Sequence, residues 1–322
     1  MQLKLTPPFG LPHKGVSYAF LVLMISALLL PSSASTLTQA NEAYNGGKFK
    51  DAIKLFRKAA GEGESPALCY YNAANAYYQL DSVAQAIVFY QACAKNAPDF
   101  LLSHLNLAIC YYSLNDFGRC ISAVTRVLEI DPTHQKALLI RAAALRSCGA
   151  TAKAAVAYEN IIRLYPQIEE PYIILGEMYR ELGDNDEAIK WLEMFPQGGK
   201  NSEYAFMLLA DMYEKSGDIP RAISYLNQAY DLDKKKRGTL YHIAFLQQQS
   251  GNELVALEIC RDGLKQYPDY ADMAVLAGTI AFGHQRIDDA EQFFNIGSKN
   301  GSPAAVVGLT NVRNWRKAHA AQ

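Results

Sequence analysis

Asparagine and tyrosine side chains recur at close spacing between residues 41 and 112. They form three clusters: Asn41 and Tyr44; Tyr71, Asn72, Asn75 and Tyr78; Asn106 and Tyr112. An asparagine amide both donates and accepts hydrogen bonds, and a tyrosine offers a flat ring with a polar tip. Such groups make reversible contacts and do not form covalent intermediates. Their chemistry therefore favours the recognition of another molecule.

Residue patterns that would support catalysis are absent from the sequence. There is no GxxxxGK[ST] phosphate loop, no GxSxG nucleophile turn and no HExxH zinc helix. The histidines at 104, 134, 242 and 284 are too far apart along the chain to suggest a set of metal ligands. The sequence therefore predicts a protein that is not an enzyme, with no catalytic residue, no metal site and no cofactor.

The overall charge limits the classes of partner. The 322 residues carry a formal net charge of -1, and half of them are hydrophobic. Binding to nucleic acid requires a strong basic excess, which this chain lacks. We therefore expect no nucleic-acid partner.

The N-terminal segment has the composition of a secretion signal. Lys4, His13 and Lys14 precede an apolar stretch over residues 16–30, and small residues follow Pro31. This order predicts a signal peptide over residues 1–34, with an uncleaved N-terminal anchor as the alternative. Both interpretations predict an exported protein. It would be periplasmic, or anchored in the inner membrane and facing the periplasm, with membrane contact only through this segment.

Small residues recur along the chain with a period of 34 residues. One series is Ala52, Ala86, Cys120, Ala154, Ala188, Ala222, Ala256 and Ala290. A second is Ala40, Ala74, Ala108, Ala142, Gly176, Ala210, Ala244 and Gly278. Between them lie Gly47, Asp81, Asn115, Gly149, Gly183, Gly217 and Gly251, which are residue types common in turns.

This pattern resembles the tetratricopeptide repeat, a 34-residue helix–turn–helix unit. The resemblance implies an all-α, right-handed superhelical solenoid. It predicts about eight tandem units over residues 35–304 and a capping helix over residues 305–322. One hairpin cannot bury its apolar face alone, so the units must stack on one another.

The run "YYNAANAYYQL", residues 70–80, indicates how such helices would present the polar clusters. Tyr70, Ala73, Ala74 and Tyr77 follow helical spacing and form a packing face, whereas the asparagines lie on the other side. In the proteins that this sequence resembles, that side lines a concave groove that binds extended peptides. We therefore expect partners that are proteins or extended peptide segments. The alternative is that the asparagines bond only to neighbouring helices.

A closer resemblance concerns the first three units. The segments "ANEAYNGGKFKDAIKLF" and "AIVFYQACAKNAPD" are similar to the start of BatE-type proteins from bacterial aerotolerance operons. This similarity implies a scaffold in the bacterial cell envelope. Two hypotheses follow: an adaptor that binds a partner in the groove, or an architectural component that docks through its convex face or edges. Cell-division and outer-membrane assembly adaptors of the same fold are further possibilities.

The six cysteines are not arranged as a metal or redox motif. Several of them fall at packing positions of the repeat, where cysteine acts as a small hydrophobic residue. We therefore expect buried free thiols.

Overall fold

The computed structural model describes residues 34–195 and 202–319, which fall into two compact units. The first unit ends at Pro166, and the second begins at Gln167. The helices of the first unit are α1 (Thr36–Asn45), α2 (Phe49–Gly61), α3 (Pro66–Gln79), α4 (Val83–Asn96), α5 (Leu101–Ser113), α6 (Phe117–Ile130), α7 (Gln135–Ser147) and α8 (Thr151–Leu164). Those of the second are α9 (Glu170–Glu181), α10 (Asn185–Glu193), α11 (Ser202–Lys215), α12 (Ile219–Leu232), α13 (Arg237–Gln249), α14 (Glu253–Gln266), α15 (Ala271–Gly283), α16 (Ile287–Lys299) and α17 (Pro303–His319).

Within each unit the helices pack as successive hairpins. In the first unit α1 packs on α2, α3 on α4, α5 on α6 and α7 on α8, and each second helix also contacts the next first helix. The second unit repeats this arrangement from α9 to α16. The described residues contain helices and no strand. The prediction of an all-α solenoid of helix–turn–helix hairpins is therefore confirmed, whereas the number of repeats stays a prediction.

The two series of small residues mark the places where helices approach most closely. Every member of the series that begins at Ala52 has no exposed surface, and the alanines of the series that begins at Ala40 are at most 1% exposed. A small side chain lets the neighbouring helix backbone come near, and a larger one would hold it away. The 34-residue period is therefore a packing requirement repeated in each hairpin.

Two glycines in these contacts face large side chains. A Cβ atom built on Gly176 would lie 2.5 Å from Cγ of Leu192 on α10. A Cβ atom on Gly278 would lie 2.7 Å from the ring of Phe294 on α16, and one on Gly308 of α17 would lie 2.5 Å from the same ring. The Phe294 ring thus occupies the space that two glycines leave open.

The turns inside the hairpins require a left-handed backbone. All seven predicted turn residues have positive φ, from 55° at Asp81 to 84° at Gly217. Glycine adopts this conformation without strain, and aspartate and asparagine tolerate it better than most residues. An eighth such residue, Gln285, has φ of 56° between α15 and α16. The pattern of turn residue types did not identify it.

The C-terminal helix α17 begins at Pro303, where proline suits the first turn of a helix. The capping helix predicted over residues 305–322 falls in this part of the chain. Its Asn311 and Asn314 are exposed, whereas Ala277 and Ile280, which lie 34 residues earlier, are buried. A polar outer face of this kind is what a terminal element of a repeat array needs. Residues 320–322 and all but the last residue of the predicted signal segment 1–34 lie outside the described residues.

The cysteines are free thiols, but they are not all buried. Cys69, Cys93, Cys110, Cys120 and Cys260 are buried, and burial raises the pKa of Cys110, Cys120 and Cys260 to about 12. Cys148 is exposed, and it directly follows the last residue of α7. The expectation of buried thiols is therefore wrong for this residue.

The glycine at position 278 provides a direct test of the packing constraint. Gly278→Ala should lower the free energy of unfolding by about 1–3 kcal/mol, because the new methyl group meets a ring that Gly308 already confines. Denaturant unfolding of both proteins would measure the change.

The matched control is Gly238→Ala in α13, where a Cβ atom would meet nothing within 4 Å. Its stability should stay the same or rise by up to about 1 kcal/mol, since alanine favours a helix. Equal stability of wild type and Gly278→Ala would contradict the proposed close contact.

Candidate functional site

The predicted site residues lie on three helices of the first unit. Asn41 and Tyr44 are on α1, Asn106 and Tyr112 are on α5, and the other four are on α3. All eight are partly buried. We call this surface the amide–tyrosine face; it consists of Asn41, Tyr44, Tyr71, Asn72, Asn75, Tyr78, Asn106 and Tyr112. The face carries no formal charge.

The asparagines are paired across neighbouring hairpins. Nδ2 of Asn72 donates to Oδ1 of Asn41 at 3.4 Å, and Nδ2 of Asn106 donates to Oδ1 of Asn75 at 3.3 Å. The two partners are 31 residues apart in both pairs. Because the spacing is the same, the pairs are equivalent contacts of successive repeats. The amides therefore bond to each other, a role that the sequence had left as the alternative.

A tyrosine of the second helix α4 connects this network. The hydroxyl of Tyr90 donates to Oδ1 of Asn75 at 2.6 Å and accepts from Nδ2 of Asn106 at 3.1 Å. The side chain is 2% exposed, and burial raises its pKa, so its hydroxyl stays protonated at neutral pH. Sequence reasoning missed Tyr90, because it looked for site residues on first helices. The residues at this position of the two adjacent hairpins, Phe56 and Val124, are apolar, but Tyr158 on α8 is also a tyrosine, so residue type alone would not have identified Tyr90.

Tyr71 joins the network from the surface of α3. Its hydroxyl accepts from Nδ2 of Asn106 at 3.3 Å, and its ring lies 5.1 Å from that of Phe100 and 5.8 Å from that of Tyr90, between centroids. Burial raises the pKa of Tyr71, and hydrogen bonds from Asn75 and Asn106 oppose this effect. The ring is thus a fixed part of the face.

The other tyrosines are held to different degrees. The Tyr44 ring contacts Phe49 and Phe56 at centroid distances of 5.4 and 6.4 Å, and Tyr112 bonds to Ser147 of α7 at 3.3 Å. Burial raises the pKa of Tyr44 and of Tyr78, so both phenols are neutral. The predicted packing residues Tyr70 and Tyr77 contact the Phe89 ring instead, at 6.2 and 5.1 Å.

The first helices of the second unit carry a different kind of surface. Asp211 accepts from Lys215 at 2.7 Å and lies 3.8 Å from Arg180, and Glu214 lies 2.7 Å from His242. Each of these two carboxylates thus has a nitrogen-bearing side chain beside it within the unit. The amide–tyrosine face contains no contact of this kind.

The described residues contain neither a metal-binding cluster nor a helix suited to span a membrane. No group of three or more histidine, cysteine, aspartate and glutamate side chains there is arranged to hold a metal ion. None of the described helices combines the length and the apolar composition that crossing a bilayer requires.

Comparisons with known proteins indicate the family. The family model of the tetratricopeptide repeat protein 21 C-terminal ARM domain matches residues 91–275, which is more than half of the chain. A tetratricopeptide repeat model matches residues 37–100. No curated protein matches the chain.

Several solved structures are similar to this chain. A tetratricopeptide repeat protein from Parabacteroides merdae is 15% identical, with a TM-score of 0.48, over 77% of this chain and 98% of that one. PilF of Pseudomonas aeruginosa is 15% identical, with a TM-score of 0.48, over 62% and 90%. MamA is 22% identical, with a TM-score of 0.47, over 51% and 95%.

The central amide can be tested through stability. Asn106→Ala should lower the free energy of unfolding by about 1–3 kcal/mol, because it removes the two N–H donors that Asn75, Tyr71 and Tyr90 share. Asn45→Ala, at an exposed position on α1, should change it by less than about 0.5 kcal/mol. Urea unfolding measures both. Equal losses in the two variants would show that the network adds nothing to stability.

Proposed function

Because this chain belongs to the tetratricopeptide repeat proteins, we propose that it is a non-catalytic adaptor that binds an extended peptide segment of a partner protein on the amide–tyrosine face. Proteins of this fold are in general interaction scaffolds, and they are typically non-catalytic. The observation that carries the proposal is the uncharged network of amides and phenols on successive first helices.

The face combines two properties that suit a peptide ligand. Its amides offer donors and acceptors that match peptide groups whatever the ligand's side chains are. Its tyrosines add rigid contact area, and such rings lose little conformational entropy on binding. Because hydrogen bonds and ring contacts already hold the side chains, little ordering remains to oppose binding.

We further propose that the protein works in the bacterial cell envelope. The proposal rests on the basic, apolar and small-residue order of residues 1–34 and on the similarity of the first three units to BatE-type proteins. The mature protein would then be periplasmic, or anchored in the inner membrane with its repeats in the periplasm.

A second candidate function is that of an architectural component which docks through its second helices. Val88 on α4 and Val156 on α8 favour it, since they are 60% and 65% exposed and occupy the same position of their hairpins. Exposed apolar side chains at regular spacing are a feature of some docking surfaces.

A peptide library can separate the two surfaces. A phage-displayed library of random decapeptides, selected on the purified protein, should yield ligands that bind Tyr78→Ala at least about 10-fold more weakly, since Tyr78 offers contact area on the face. Val88→Ala should bind them unchanged. Failure to select any ligand would refute peptide binding. Ligands that lose affinity on Val88→Asp but keep it on Tyr78→Ala would favour the second candidate.

Export can be tested with a reporter enzyme that is active only outside the cytoplasm. Fusion of the reporter to residues 1–34 should give activity in a Gram-negative bacterium, because a basic start and an apolar centre direct export. The control replaces two apolar residues of the centre, as in Leu23→Arg with Leu28→Arg, and should abolish the activity. An inactive wild-type fusion that is nevertheless produced would refute the proposal.

A further inference from the structure

Both asparagine pairs of the amide–tyrosine face point the same way. In each pair the later residue donates with Nδ2 and the earlier residue accepts with Oδ1. The donors, Asn72 and Asn106, occupy one position of the repeat, and the acceptors, Asn41 and Asn75, occupy another. The orientation of the amides therefore follows the repeat.

This orientation determines which atoms of Asn75 remain for a ligand. An asparagine has one carbonyl oxygen with two lone pairs and two N–H donors. Oδ1 of Asn75 accepts from both Tyr90 and Asn106, so its lone pairs are used inside the protein. Asn75 also has a side-chain hydrogen bond to Tyr71, and this bond uses at most one of its two N–H groups. At least one N–H of Asn75 is thus available as a donor.

The opposite is true of the asparagines that donate. The nitrogen of Asn106 faces three oxygen atoms, those of Tyr71, Asn75 and Tyr90. Its carbonyl oxygen has no hydrogen-bond partner in the described part of the chain. The carbonyl oxygen of Asn72 has none there either, because Asn72 uses its nitrogen in the bond to Asn41. These two residues therefore present acceptors.

Tyr90 maintains this polarity from beneath the face. A buried hydroxyl 2.6 Å from Oδ1 of Asn75 acts as a donor, and a rotated amide would bring an N–H group to the same place. In the rotated amide, the Tyr90 hydroxyl would lose its acceptor, and Nδ2 of Asn106 would face another N–H donor in place of Oδ1. The network as a whole therefore favours one orientation of Asn75.

We propose that this network fixes the direction of the hydrogen bonds between the face and the backbone of a bound peptide. Asn75 donates to a ligand carbonyl, and Asn72 accepts from a ligand N–H. The two residues are three apart on α3, so their side chains are neighbours on the helix surface. In an antiparallel strand pair, one residue offers both its N–H and its carbonyl to the same neighbour. The proposal rests on the proposed function and adds Tyr90 as a positioning residue, which acts through Asn75.

Two isosteric variants test the polarity, with a decapeptide selected on the wild-type protein as the probe. Asn75→Asp keeps an oxygen for Tyr90 and Asn106 but replaces the donor with an oxygen, and it should weaken binding at least about 10-fold. Asn72→Asp keeps the acceptor, so affinity should stay within about 3-fold of wild type. Isothermal titration would measure affinity, and urea unfolding would check that each variant is folded.

The role of Tyr90 as a positioning residue can be tested by measuring peptide affinity in single and double variants, since a purely structural role would not depend on the residue at position 75. Tyr90→Phe keeps the ring and removes the hydroxyl, so Asn75 can rotate and affinity should fall about 3- to 10-fold. A carboxylate has two equivalent oxygens, and its rotation changes nothing. Tyr90→Phe should therefore cause no further loss in the Asn75→Asp background.

The outcomes distinguish this inference from the proposed function. If no decapeptide binds the wild-type protein, peptide binding fails and the inference fails with it. If decapeptides bind and Asn75→Asp binds them as well as wild type, only the polarity is overturned. A loss in Asn72→Asp as large as that in Asn75→Asp would have the same meaning. Additive losses in the double variant would reduce Tyr90 to a structural role.

Discussion

Close approach of helix backbones at one small residue per helix is the constraint on which this structure depends. The alanines of the two 34-residue series are at most 1% exposed, and large side chains of the partner helix fill the space beside them. At Gly278 and Gly308 a single phenylalanine ring, that of Phe294, lies where a Cβ atom of either residue would be placed. Packing at this density places successive hairpins in the same relation to one another.

Equivalent packing produces equivalent polar contacts on the surface. The Asn72–Asn41 and Asn106–Asn75 pairs form because each α-hairpin places the same two positions within hydrogen-bond reach. Tyr90 then extends the second pair into the interior, where a neutral hydroxyl can be both donor and acceptor. The hydrogen bonds that these side chains make to one another hold them in place.

The same scaffold carries unlike surfaces in its two units. The first helices α1, α3 and α5 bear amides and phenols, and first helices of the second unit bear charges that pair locally, such as Arg180 with Asp211. Exposed ion pairs of this kind contribute little to stability, so they tolerate change at low cost. The small residues of the packing positions cannot change so freely. Fold and surface are thus encoded by different positions of the same 34-residue unit.

The sequence by itself determined the fold class, because the requirement for small residues at helix contacts leaves a period that can be read without a structure. It also identified seven of the left-handed turn residues, since glycine, asparagine and aspartate tolerate that backbone. It missed Gln285, whose residue type carries no such signal, and it expected Cys148 to be buried.

Only the tertiary structure decided what the polar residues do. The sequence placed all eight predicted residues on the side of the first helices that lies opposite the packing face. Hydrogen bonds between residues 31 apart, however, depend on distances between helices. The direction of each amide and the part played by Tyr90 depend on which atoms meet across those distances. Periodicity specifies which residues share a face; the packing of neighbouring helices specifies which atoms of that face remain for a partner.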